Sequence, residues 1–305
     1  MTRKDKFRSA AENPATAIAY AEEVHTRRLA EISEAIAEAH NEQHLRTVLV
    51  SGPSSSGKTT FAGRLGSILK ERGLQPVPIS MDDYFVERDK TPRDADGNYD
   101  FEAVEAVDLP LLNDQLQRLA AGEDVIVPIF DFVTGTRKWH DKPLRLEDNS
   151  IMILEGLHVL NPRLTAFIPD NSKFRIFISC LTAAESADGK RISTFDMRLL
   201  RRITRDNAQR GRTAAKTIME WPSVRRGEDK YVFPFLGDAD TVFDSSLFYE
   251  LSALRPLAEP LLAAVAADTP ESAVAGRLLK ILDHFPPITT EGIPSDSLLR
   301  EFVGL

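Results

Sequence analysis

Residues 47–60 read TVLVSGPSSSGKTT, and no other stretch limits the fold of this chain so tightly. Positions 47–50 form a β-branched, apolar run suited to a buried parallel strand, and positions 52–59 fit G-x-x-x-x-G-K-[ST] without a gap. Gly52 and Gly57 let the backbone wrap an anion, with the N–H groups of Pro53's successors Ser54, Ser55 and Ser56 turned inward. A helix opening near Lys58 adds the positive end of its dipole. In that geometry Lys58 reaches the β and γ phosphates, the Thr59 hydroxyl is placed to ligate Mg²⁺, and Thr60 continues the phosphate-facing turn. A chance glycine-rich turn would lack the helical pattern that follows through Phe61, Leu65, Ile68 and Leu69. The expectation is an α/β phosphate-loop fold, a central parallel sheet flanked by helices, that binds a nucleoside triphosphate.

Charge and composition narrow the partners. With 38 Lys and Arg against 46 Asp and Glu, a net −8, the chain is a poor candidate for general nucleic-acid binding. Its one cysteine, Cys180, lies in the apolar run 174–181, which marks a core residue and fits a reducing cytoplasm. No apolar run approaches a membrane span, and the start of the chain is polar where a signal peptide needs an apolar core. A cytoplasmic protein with no membrane partner is expected.

In chain order, residues 1–12 read as a charged lead. Asn13 and Pro14 then open a long helix whose apolar face is Ile18, Ala21, Leu29, Ile32 and Ile36, ending near His40. His25 and His40 on it read as packing or solvated residues. A strand at 75–80 delivers Asp82 and Asp83 to the sheet edge where α/β proteins bind ligands. One of these acids is suited to orient an acceptor hydroxyl and take its proton, or to hold the metal through water. Residues 91–101 read as a loop, 104–121 as a helix, and 125–132 (VIVPIFDF) as a strand. The buried run 150–154 leads into Glu155, placed as a second metal-side carboxylate. His158 reads as a packing residue. Residues 194–221 interleave Met197, Leu199, Leu200 and Ile203 with Arg198, Arg201, Arg202, Arg205, Arg210 and Arg212. Guanidinium groups so crowded are tolerable around an anion, so this segment reads as a phosphate-clamping lid that excludes water. A last strand at 241–244 precedes helical stretches at 250–267, interrupted by Pro256 and Pro260, and at 270–284, with a Pro-rich tail at 286–305. The expected organisation is an N-terminal helical extension (1–44), a kinase-type core (45–246) with its lid at about 194–232, and a C-terminal helical extension (247–305).

The ordered set GPSSSGKTT, ISMDDYF, NYDF, PIFDF with Arg137, LEGLH and RRITRDNAQRGR resembles the uridine kinase branch of the phosphoribulokinase and uridine kinase superfamily. The segments WPSVRRGEDKYVFPF, RLLKILDHF and SLLREFVG are similar to bacterial uridine kinase-like proteins that often carry domains shared with threonyl-tRNA synthetase, here without room for those domains ahead of the first helix. The resemblance implies ATP- or GTP-dependent, Mg²⁺-assisted phosphorylation of a nucleoside 5′-hydroxyl, with a homo-oligomer as the assembly. It implies Asp82 as the catalytic acid position with Tyr84 beside it, and Asp83 as a bystander. It further implies Asp100 as the carboxylate on the sugar hydroxyls, and Phe130, Arg137, Arg202 and Arg212 as substrate-side residues. Lys58, Arg205 and Arg210 act at the transferred phosphate, and Thr59, Asp82 and Glu155 face the metal. One departure bears on the base: the family's Tyr-Asp-Phe and following histidine are Phe130, Asp131, Phe132 and Gly135 here. A site that loses hydrogen-bonding groups loses discrimination. Two other readings therefore stand beside the nucleoside kinase: a kinase of another polyol or sugar phosphate, and a non-catalytic nucleotide-binding regulator.

Overall fold

The Asn13 side chain accepts from the Thr16 amide and Pro14 takes the first turn, so helix α1 starts where the sequence places it; it runs on to Gln43 (α1, Pro14–Gln43) and stops at His44 in the left-handed conformation. The computed structural model describes residues 13–94, 97–185 and 189–304, so the charged lead lies outside the described residues. Five strands make one parallel sheet: β1 (Thr47–Ser51), β2 (Gln75–Ser80), β5 (Ser150–Gly156), β6 (Lys173–Ser179) and β9 (Thr241–Asp244), in the order β2-β5-β1-β6-β9. Strands β1 and β5 are buried along their whole length, which is why both read as unbroken apolar runs and not as alternating ones. Pairing is in step, Val50 opposite Glu155 and Ser51 opposite Gly156, so the phosphate loop and Glu155 leave the sheet side by side.

Helix α2 (Lys58–Glu71) follows the phosphate loop, and α3 (Leu109–Ala120) covers the other side of the sheet behind an Asp108 cap. The run 125–132 does not enter the sheet. Pro128–Asp131 (β3) pairs antiparallel with Thr136–Trp139 (β4), as a hairpin standing beside the Met81–Tyr84 turn, and Val125 forms an isolated antiparallel bridge with Leu144. A two-stranded ladder, β7 (Ala184–Glu185) with β8 (Arg191–Ile192), leads into helix α5 (Thr194–Arg210), and α6 (Ala214–Tyr231) follows; a short α4 (Pro162–Thr165) lies earlier in the chain.

Helix α5, where the lid is expected, has Met197, Leu199, Leu200 and Ile203 buried in a cluster shared with α6, α7 (Glu250–Ala263) and α8 (Ser272–Leu282). One expectation needs correction: Pro256 and Pro260 do not interrupt α7, and both lie on its exposed face, four residues apart. The terminal helices pack on the core: Leu29, Ile32 and Ile36 of α1 share a cluster with β1, α2 and Leu298. His25 is buried with its ring edge-on to Phe243, 5.0 Å between centroids, and burial lowers it to about 4. His40 meets the Leu45 carbonyl at 2.7 Å. His158 is buried edge-on to Tyr231. Cys180 is buried and free, its thiol pushed up to about 12 by burial.

Candidate active site

The phosphate loop is shaped by contacts that only these residues permit. A Cβ on Gly52 would lie 1.9 Å from the Ile178 carbonyl oxygen, and Gly57 has φ +91°, so neither position tolerates a side chain. Ser55 also sits at positive φ, 58°. Lys58 Nζ donates to the Pro53 carbonyl at 3.2 Å, curled back along the loop. The loop is held from outside by a buried carboxylate: Glu228 on α6 accepts from the Ser54 amide at 2.9 Å and pairs with Arg198 at 2.6 Å, while Arg198 donates to the Ser54 carbonyl at 2.9 Å. Arg202 adds a 2.7 Å bond to the Ser54 hydroxyl.

Above the loop opens a cavity of about 1510 Å³. That is larger than a single small-molecule site, ~300–1,000 Å³, and leaves room for two ligands. One side is formed by Ser54–Thr60 and the arginine helix, the other by Asp82, Asp83, Tyr99, Phe101, Glu102 and the hairpin residues Phe130 and Phe132. At the junction, the Thr59 hydroxyl donates to Glu155 Oε1 at 3.3 Å and the Ser80 hydroxyl donates to the same oxygen at 2.7 Å. Burial, then the Asp82 charge nearby, raises the Glu155 carboxyl to about 7. Asp82 Oδ1 is buried and has no hydrogen-bond partner among the described residues.

Thr59, Glu155 and Asp82 therefore present only oxygen donors, one of them unpartnered, which suits a hard divalent cation. No cluster of three or more His, Cys, Asp or Glu able to hold a metal occurs among the described residues. A cation such as Mg²⁺ fits on those terms, since it binds through one or two protein oxygens plus substrate phosphates.

The arginines divide into two sets. Arg202, Arg205 and Arg210 surround Asp206 at 3.3, 2.8 and 3.5 Å and line the cavity. Burial alone would raise the Asp206 carboxyl, but these three guanidinium groups hold it below the usual range. Burial and the neighbouring Arg205 bring Arg210 down to about 10, and its guanidinium lies 4.9 Å above the Phe132 ring. Arg212 lines the cavity paired with Glu220. Arg198 and Arg201 face away, fully buried against Glu228 and Glu250. The anions that make this crowding tolerable are thus partly the protein's own carboxylates.

Three expected substrate contacts lie elsewhere. Tyr84 is buried, and its hydroxyl donates to Gln115 at 2.8 Å in the core beneath the turn. Arg137 does not line the cavity; it pairs with Asp108 at 3.0 Å and donates to the Phe85 carbonyl at 2.9 Å, fastening the hairpin to the turn. Asp100 does not line it either, its carboxylate accepting from the Glu102 amide at 3.2 Å. Glu102, two residues on, lines the cavity instead. It is buried, Oε2 has no partner among the described residues, and burial raises it to about 7. Its backbone and Cβ are packed so tightly on Gly227 that a Cβ there would lie 2.2 Å away. Glu102, Asp206 and Glu228 escaped the sequence reading because nothing local distinguishes them from surface acids. Asp83 proves more than a bystander, since it accepts from the Phe130 amide at 3.0 Å and positions the hairpin. Gly135 has φ +73°, and a Cβ there would lie 2.7 Å from the Arg88 guanidinium. Positive φ and the Arg88 side chain both oppose a histidine at that position.

A parallel sheet, a phosphate loop, an acceptor-side acid and a ring of arginines define a phosphate-loop phosphotransferase. The model of the phosphoribulokinase / uridine kinase family matches residues 47–248, and the chain belongs to that family. Among curated relatives, a uridine kinase of Lactobacillus helveticus is 26% identical over 194 residues, covering 63% of this chain and 83% of the relative. A uridine kinase of Borrelia duttonii is 25% identical, covering 70% and 96%. Uridine-cytidine kinase A of Dictyostelium discoideum is 30% identical, covering 63% of this chain and 34% of that longer protein. Among solved structures, a putative fructose transport system kinase from Silicibacter sp. TM1040 superposes with a TM-score of 0.51 at 20% identity, covering 70% and 98%, and shares the fold. No described helix is long and apolar enough to cross a membrane.

Proposed function

We infer that the protein transfers the γ-phosphoryl group of ATP, or GTP, to the 5′-hydroxyl of a nucleoside of the uridine or cytidine type. The observation that carries this reading is the unpartnered Asp82 Oδ1, buried within the same cavity as Lys58, Thr59 and Glu155. A carboxylate with a free lone pair beside a phosphate loop orients an acceptor hydroxyl and takes its proton as the bond to phosphorus forms. Lys58 leaves the Pro53 carbonyl for the phosphates, and Arg205 and Arg210, already assembled by Asp206, bear on the charge of the transferring group. Thr59 with Glu155 and Asp82 would hold Mg²⁺, which when bound would neutralise charge on the phosphates. Glu102 Oε2 faces the acceptor half and accepts from sugar hydroxyls, the role the family pattern gives to Asp100. Phe130 and Phe132 give the base an apolar wall, their rings edge-on to each other with centroids 5.2 Å apart.

A second reading, a polyol or sugar-phosphate acceptor, is favoured by Gly135, because positive φ and the Arg88 side chain oppose a base-reading histidine there. Turnover against uridine, cytidine, purine nucleosides, deoxynucleosides, sugars and sugar phosphates separates the two. Under the first reading a pyrimidine nucleoside gives the highest kcat/KM, and Asp82→Asn lowers kcat by about 10²–10⁴ while ATP still binds. Nucleotide binding with no turnover on any acceptor supports a regulatory protein instead.

A further inference from the structure

The family segment ends at residue 248, yet one wall of the cavity comes from residues 295–304. This tail is firmly seated. Ser297 and Tyr249 both donate to Glu22 Oε1 at 2.6 Å, tying the tail to α1 and α7. Leu298 is fully buried in the phosphate-loop cluster, with Cδ2 3.3 Å from where a Cβ on Gly57 would stand. Phe302 is buried beneath the Arg201 guanidinium at 5.0 Å, and Gln209 donates to the Glu301 carbonyl at 3.1 Å. These contacts bring Ser295, Arg300, Glu301 and Gly304 to the cavity, on α9 (Arg300–Val303) and its flanks.

Glu301 is the group with chemistry to offer. Its carboxylate accepts from the Thr60 hydroxyl at 3.4 Å and lies 3.6 Å from Arg205, contacts long enough to leave lone pairs directed into the cavity. Arg300 has its guanidinium tied to the Ile293 and Pro294 carbonyls, so it shapes the wall. The acceptor half is closed by Asp82, Glu102 and the hairpin, and the transfer end is marked by Thr59 and Glu155. A triphosphate whose γ group meets Asp82 runs back over the α2 N-terminus, so its nucleoside end comes out past Thr60 against the tail. A carboxylate there accepts hydrogen bonds only, and a nucleoside offers ribose hydroxyl donors to it.

We propose that residues 295–304 complete the donor-nucleotide site, with Glu301 accepting a hydrogen bond from a ribose hydroxyl of the bound triphosphate. The proposal rests on the donor reading of the phosphate loop given above. It is tested by calorimetric binding of non-hydrolysable ATP and of its 2′-deoxy and 3′-deoxy forms to the full chain, to Glu301→Gln and Glu301→Ala, and to Lys58→Ala. The wild type discriminates against at least one deoxy form, and both Glu301 variants remove that preference by weakening ATP about tenfold while shifting the disfavoured deoxy form by less than about twofold. Melting temperatures identify a variant that fails to fold, and the Gln form, nearly isosteric at a partly exposed side chain, is the arm expected to remain folded. A wild type that binds all three nucleotides alike overturns the proposal, and so does equal weakening of ATP and both deoxy forms. The donor reading itself fails only if the wild type binds no nucleotide, or if Lys58→Ala binds as tightly as the wild type.

Discussion

The phosphate-loop side of the cavity and the acceptor side are built from the same residue types and differ in what those residues already hold. On the first side Glu228 satisfies both the Ser54 amide and Arg198, and Glu250 satisfies Arg201 and the Leu247 amide. On the second, Asp82 Oδ1 and Glu102 Oε2 are buried without a partner among the described residues. Desolvating a polar group without a partner costs ~1–3 kcal/mol, more for a charge. The paired carboxylates Glu228 and Glu250 therefore set geometry, and the unpaired Asp82 and Glu102 wait for a ligand that supplies the missing partners.

Breaking the paired side should have the largest effect on folding. Glu228→Ala leaves Arg198 buried and uncompensated, and a loss of about 3–5 kcal/mol in denaturant unfolding is expected. Breaking the unpaired side should spare stability and cost chemistry: Asp82→Asn is expected to lower kcat by about 10²–10⁴ while the melting temperature holds or rises. Glu102→Gln sharpens the contrast. Burial raises this carboxyl from 4.5 to about 7, so its accepting form grows in as pH rises from 6 to 8, and the acceptor KM should fall over that range. In Glu102→Gln, initial-rate measurements should give a KM several-fold higher and flat with pH, about 1–1.5 kcal/mol of binding by the usual worth of one hydrogen bond. Restoring the family residue with Gly135→His should destabilise the hairpin by about 1–3 kcal/mol without improving pyrimidine kcat/KM, because positive φ and Arg88 both oppose a side chain there.

A further effect is a pH dependence away from the cavity. Burial lowers His25 from 6.5 to about 4, so between those values the unfolded chain binds the extra proton and stability rises with pH. Unfolding at pH 5 compared with pH 7 should show a loss of about 2 kcal/mol attributable to this histidine, absent in His25→Leu.

Much of the site was legible because it is written locally. The β1–loop–α2 unit lies within residues 47–71, and Asp82 and Glu155 each end a run that reads plainly as a strand. Residues whose role depends on distant partners were harder. Tyr84 and Arg137 sit at matching positions in the family pattern, yet Gln115 and Asp108 draw their side chains into the framework. Glu102 and Asp100 are two residues apart in one loop, and only the packing of α6, through Gly227, decides which carboxyl faces the cavity. The arginine run announced an anion, but no periodicity could tell that Glu228 and Glu250 would meet Arg198 and Arg201 while Asp206 gathered the others.

The seating of Leu298 beneath Gly57 also fixes an order of events in folding. Thr60 and Glu301 meet across 241 positions of sequence, whereas the βα unit that carries Thr60 closes over a short span. Contacts of such separation form late, after the entropy of closing the intervening chain has been overcome. Early in folding, then, the phosphate loop has its glycines and its helix but nothing under Gly57. Competence to grip a nucleotide should arrive as a distinct slow phase, after the secondary structure and with the docking of the tail.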